Sequence, residues 1–192
     1  MNIKLIFSII ALIIGVISFI PYFKDIFSRK TKPHAYTWLI WTITQGTAVY
    51  AILFGGGKWG ALSLGILLLF VFSVFLFSLK YGTKNITRSD TIILILAVIA
   101  IFIWWQLKQP LISVLMVSAI DFFGYIPSFR KSYIAPWSET ISSWLLFSLS
   151  NLFAIFALTE YNLLTLFYLC TISTANIILA LICFIRRKNV KK

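Results

Sequence analysis

The chain has 192 residues, of which 60% are hydrophobic and 11% charged, and its net charge is +12. A soluble domain carries roughly twice that share of charge, so lipid is the expected solvent for most of the chain. The basic residues are scattered over loops and a tail with no soluble basic domain behind them, which argues against nucleic acid as a partner.

Apolar segments fall at 4–22, 36–55, 59–79, 91–107, 111–129, 138–158 and 162–186. Each is long enough to cross about 30 Å of hydrocarbon as a helix. The first has a single early Lys4, an apolar run longer than a signal core, and no small-x-small site before Pro21. It therefore reads as a spanning helix, not a cleaved leader. The only histidine, His34, falls in the loop that follows. Gly55-Gly56-Gly57 reads as a turn between the second and third segments. It is no phosphate loop, because no strand precedes it and no Gly-Lys-Ser/Thr follows. The polar, basic stretch Lys80–Asp90 reads as a linker into the fourth segment. Cys170 and Cys183 lie thirteen residues apart in the last segment, too far to bridge on one helix, and read as small apolar filler. Neither a metal site nor a cofactor is expected.

Charge sets the direction. With seven spans, one side of the membrane holds three basic residues, Lys4, Lys58 and Lys108, and the other side holds the remaining fourteen. Cytoplasmic loops concentrate Lys and Arg, so the C-terminus is expected inside and the N-terminus outside.

A repeat explains the odd number of spans. Trp38-Leu39-Ile40-Trp41-Thr42-Ile43-Thr44-Gln45 matches Trp144-Leu145-Leu146-Phe147-Ser148-Leu149-Ser150-Asn151 at an offset of 106 residues. The same offset pairs Pro21 with Pro127, Phe23 with Phe129, Lys24 with Arg130, Ala48 with Ala154 and Ala51 with Ala157. Three helices end on the opposite side of the membrane, and a fourth returns the chain before the second three begin. The expected architecture is an all-α integral membrane protein of two parallel three-helix repeats joined by a linker helix. Its units are residues 1–79, 80–108 and 109–186, with a basic cytoplasmic tail at 187–192.

This plan, with a proline near the cytoplasmic end of each first helix (Pro21, Pro127) and Thr37-Trp38 and Ser143-Trp144 opening each second helix, resembles the SWEET/PQ-loop superfamily. The glutamine that names the PQ-loop is replaced by Tyr22 and Ser128. Segments such as Thr31-Lys32-Pro33-His34 and Asp121…Gly124…Pro127 look like a bacterial group of such proteins. Trp38, Trp41 and Gln45 give a looser likeness to the PnuC vitamin-precursor transporters.

Polar residues in mid-membrane mark the candidate site. Asp121 lies about 9 Å along its helix axis from Pro127, where a carboxylate costs roughly 2.5–3.5 kcal/mol. It is a candidate for proton coupling, for a structural hydrogen bond to a neighbouring helix, or for substrate contact. Its repeat equivalent is Gly15. Trp38, Trp41 and Gln45 share one helix face by i, i+3, i+7 spacing, as do Trp144, Phe147 and Asn151. An aromatic ring and an amide on each side of a cleft suit a small polar ligand. Against that stand amides that only join helices and tryptophans that mark the cytoplasmic interface. In sugar-carrying relatives an asparagine on the third helix of each repeat lines the site. That resemblance makes Asn176 a candidate, although Phe70 stands at the equivalent position. Pro21 and Pro127 are candidate hinges or simple helix ends.

The function expected is transport of a small polar solute (a sugar, an amino acid or a vitamin precursor) by alternating access between the two bundles. The alternative is a non-transporting membrane receptor or assembly subunit. An intramembrane enzyme is not expected, since no nucleophile with a base, paired-aspartate site or metal site is visible, and Asp121 is the one clearly buried acid. The partners expected are the solute and the lipid bilayer, with self-association left open. The Ile, Phe and Lys bias suggests a bacterial chain and so the cytoplasmic (inner) membrane.

Overall fold

The computed structural model describes residues 2–107 and 109–190. Among these the protein is all-α, with no strand. The helices are α1 (Ile3–Phe27), α2 (Ala35–Phe54), α3 (Lys58–Tyr81), α4 (Arg88–Leu107), α5 (Pro110–Ile134), α6 (Ile141–Ala157) and α7 (Leu163–Asn189), with a 3-10 turn at Pro136–Ser138 before α6. Four of them, α1, α2, α3 and α7, are long and apolar enough to cross a membrane. The apolar α6 is shorter, at 17 residues. Helix α5 carries Asp121, Arg130 and Lys131 along its length.

The prolines do not end their helices, which corrects one reading of them. Helix α1 runs through Pro21 to Phe27, and α5 through Pro127 to Ile134. Each proline forfeits one backbone bond and crowds the carbonyl four residues back. Helix α7 continues past Arg186 to Asn189, so the basic tail begins as helix. Asn2 caps α1 by accepting from the Lys4 N–H at 3.0 Å, and Asn162 forms a reciprocal capping box with Thr165 on α7. The glycine turn after α2 contains Gly56 at φ +83°, a left-handed conformation that suits a residue without Cβ.

Packing follows a crosswise pattern. Helix α3 lies against both α1 and α2, and α7 lies against both α5 and α6. Between the triplets α1 packs on α6, and α2 packs on α5. The smaller contacts α3 with α6 and α2 with α7 obey the same exchange. Swapping α1, α2, α3 for α5, α6, α7 thus maps every one of these neighbours onto another. Helix α4 stands outside the pattern, against α5 and the edge of α2.

Large apolar side chains cover the outside, among them Ile13, Ile20, Leu69, Leu76, Ile95 and Phe184. Many Ser and Thr side chains, with the amides of Gln45, Asn151 and Asn176, are buried inside. Lipid is as apolar as leucine, so helices join by close packing and hydrogen bonds instead of by hiding apolar surface. At the crossing of α3 and α6, a Cβ on Gly60 would lie 3.1 Å from the Ala154 carbonyl oxygen and 2.6 Å from Leu158 Cδ2. Ser8 on α1 donates to the Trp59 carbonyl at 2.7 Å.

Candidate functional site

A cavity of about 70 Å³ lies between the two triplets. Gln45, Asn151, Trp38, Trp41, Trp144 and Asn176 all line it, and so does Asp121. The residues singled out as binding candidates therefore converge on one place. Pro21 and Pro127 lie elsewhere, inside α1 and α5. The volume holds a few waters.

Rings close the cavity in repeat-equivalent pairs. Phe19 on α1 meets Phe147 on α6 at 4.7 Å between centroids, and Tyr125 on α5 meets Trp41 on α2 at 4.4 Å. These two contacts are the same contact one repeat apart. Within the triplets Phe19 and Trp38 stand 6.5 Å apart, and Tyr125 and Trp144 stand 6.3 Å apart. Trp38 and Trp144 approach each other to 6.3 Å. With exposures of 3% and 2% they face the inside of the bundle.

The polar groups break this symmetry. Gly15 and Asp121 occupy equivalent positions, as do Ser150 and Thr44. At the α1–α6 crossing Ser150 donates to the Ala11 carbonyl at 2.7 Å, and a Cβ on Gly15 would lie 3.0 Å from the Ser150 hydroxyl. At the α2–α5 crossing the Thr44 hydroxyl donates to the Asp121 carboxylate. Tyr168 of α7 lies against the same carboxylate. Trp41 Nε1 donates to the Asp121 backbone carbonyl at 3.3 Å, and Thr37 to the Gly124 carbonyl at 3.0 Å. These bonds tie α2 to α5.

The two amides differ in role. Gln45 Nε2 donates to the Leu64 carbonyl at 2.8 Å, so it joins α2 to α3. Asn151 lines the cavity and makes no hydrogen bond to the described residues. Asn176 accepts from the Tyr125 hydroxyl at 2.6 Å.

On the basic side a second polar layer lies beneath the rings. Trp144 Nε1 donates to Glu139 Oε2 at 3.0 Å, and the other Glu139 oxygen pairs with Lys131. Lys131 also donates to the Lys32 carbonyl at 2.7 Å. The hydroxyls of Thr31 and Thr140 lie 2.7 Å apart, and Thr140 donates to Asp25 at 2.8 Å. The loop after α1 and the loop after α5 are therefore bound to each other. To one side, Asp90 pairs with Arg130 at 2.8 Å and faces His34 Nε2 at 3.3 Å. Burial holds the His34 imidazole below its ordinary value of 6.5, with Asp90 pulling the other way.

His34 lies in the loop before α2, as expected, and is buried there at 1% exposure. One expectation is corrected here. Asp121 is not the one buried acid, since Asp90 and Glu139 are also each 2% exposed. Their basic partners, Arg130 and Lys131, adjoin one another in sequence, and that adjacency was the available signal. Sequence reasoning also missed Phe19, Tyr125 and Tyr168 in the lining. The 106-residue offset alone ties Phe19 to Tyr125.

Fold and site together define an all-α protein with four helices long and apolar enough to cross a membrane, built around an aromatic cavity that holds one carboxylate. No family model, curated protein or solved structure matches the chain.

Proposed function

We propose that the protein is a transporter of a small polar solute, working by alternating access between the triplets α1–α3 and α5–α7. In this reading all seven helices cross the membrane, with the N-terminus outside and the C-terminus in the cytoplasm. The membrane is the cytoplasmic membrane of a bacterium, and Asp121 is the candidate for proton coupling. The observation that carries the reading is that the mid-membrane polar residues of both triplets line one cavity, at a crossing where exchanged helix pairs make equivalent contacts. Transporter sites lie at such repeat interfaces. The charge split of fourteen to three supports the direction, and the resemblance to the SWEET/PQ-loop plan supports the class.

Alternating access requires one end to open while the other stays shut. The Lys131–Glu139 pair and the Thr31–Thr140–Asp25 chain shut the basic end. Opening there has to part the loops that follow α1 and α5, beyond Pro21 and Pro127. Both prolines lack the backbone bond that would stiffen that stretch.

The test is flux into liposomes holding the purified chain, with labelled sugars, amino acids and vitamin precursors. Saturable uptake of one class, reduced at least about ten-fold by Asn151→Ala, supports transport through this cavity. Binding without flux favours the second reading, a receptor or assembly subunit. The open apolar groove of about 500 Å³ between α4 and α5, lined by Ile93, Leu96, Met116 and Phe123, gives that reading a surface to work with.

A further inference from the structure

We propose that the solute this cavity takes is a small organic cation, such as an ammonium or guanidinium compound; the proposal rests on the cavity being a solute site.

The argument starts from the three buried acids. Asp90 has Arg130, and Glu139 has Lys131. Asp121, as deeply buried as either, has no cationic partner among the described residues. The groups against it are the Thr44 hydroxyl from α2 and the Tyr168 hydroxyl from α7. Among the described residues no Lys, Arg or His lines the cavity, whether from α1, α2, α3, α5, α6 or α7. A carboxylate kept from water without a counter-charge is costly, and chains that retain one inside a membrane pair it or use it. Here the missing positive charge is left for the ligand to bring.

The rest of the lining suits the same charge. Trp38, Trp41, Trp144, Tyr125, Phe19 and Phe147 line the same cavity as the carboxylate. Aromatic faces are negative and attract ammonium and guanidinium groups, most strongly where water is excluded. An anionic solute is repelled by Asp121 and by the ring faces. A neutral sugar needs many hydrogen-bonding partners, and two of the three lining amides already hold one, Gln45 by donating to Leu64 and Asn176 by accepting from Tyr125. Asn151 alone offers a fully free amide, enough to orient a cation through a hydroxyl or carbonyl elsewhere on it. The rings touch one another around a cavity of about 70 Å³, so a ligand must part them on entry, and tryptophan fluorescence will report it.

The experiment compares charged compounds with neutral twins of the same shape, using the full chain in detergent and tryptophan fluorescence. The pairs are choline with 3,3-dimethylbutan-1-ol and methylguanidinium with methylurea. Each cation is expected to bind at least about ten-fold more tightly than its twin. Asp121→Asn is expected to remove that preference. Equal or tighter binding of the neutral twins to the unaltered protein overturns the proposal, and so does the absence of binding by both cations. Should Asp121→Asn fail to fold, the comparison on the unaltered chain decides alone, with Trp144→Leu as a second variant expected to weaken the cations at least about five-fold. Flux of the same four compounds into liposomes separates the two claims. Saturable flux of neutral solutes without charge preference overturns the cation and keeps the transporter. Cation binding without flux keeps the cation and overturns the transporter.

Discussion

The Tyr125 hydroxyl donates to Asn176 at 2.6 Å inside the bundle. One repeat earlier the same two positions hold Phe19 and Phe70, which stack at 5.3 Å. The two halves thus solve one packing contact in two ways, with a polar pair in the second half and an apolar pair in the first. A buried hydrogen bond contributes little net stability, but an orphaned partner costs the full desolvation of that group. Tyr125→Phe should therefore lower stability by about 1–2 kcal/mol. The double change Tyr125→Phe with Asn176→Leu should recover at least half of that loss. Thermal melts of the single and double variants check this, and equal losses in both would contradict it.

Gly60 permits the close approach of α3 to α6. A Cβ there meets the Ala154 backbone oxygen, which cannot move aside as a side-chain tip can. Gly60→Val should destabilise the protein by about 1–3 kcal/mol. Gly65 is less crowded, since an added Cβ there would make only an ordinary contact with Val49 Cγ1 at 3.6 Å. Gly65→Ala should leave the melting temperature unchanged or slightly raised, because alanine favours helix.

Glu139 holds two partners, Lys131 and Trp144. Glu139→Ala strands the Lys131 ammonium, which is 7% exposed, and should cost about 3–5 kcal/mol. Lys131→Met combined with Glu139→Leu removes both charges and should restore much of the loss. Glu139→Gln keeps an acceptor for the indole. A tryptophan emission shift in Glu139→Ala that is absent in Glu139→Gln would place Trp144 on this carboxylate.

His34 gives a pH dependence whose sign follows from its burial. Its folded-state value lies below the ordinary 6.5 of the unfolded chain. At neutral and higher pH both states hold a neutral imidazole, and stability is unaffected. As pH falls through 6.5 the unfolded state takes up the proton first, so stability is lost there. Denaturation at stepped pH should show that loss, and His34→Gln should flatten the curve across the same window. A curve unchanged by the substitution would exclude His34 as the source.

Much of this architecture was legible in the residues. Long apolar runs mark helices in lipid because backbone polar groups there must bond internally. The 106-residue offset paired Trp38 with Trp144 and Gln45 with Asn151 before any contact was known. Mid-helix polar residues stood out at Asp121 and Asn176 because an apolar background makes each one expensive.

The inward face of each helix was a different matter. These helices are apolar on nearly every side, so no amphipathic stripe tells core from lipid. Phe19 and Ile20 look alike in sequence, yet Phe19 is buried and Ile20 is 61% exposed. Helix rotation and crossing decide that, and they set the pairs Asp90–Arg130 and Lys131–Glu139 as well. The chain alone determined seven helical segments and the 106-residue repeat between them, because those follow from local composition and spacing. The tertiary structure decided which rings close the cavity and which buried acid is left without a cation, because both depend on contacts between helices far apart along the chain.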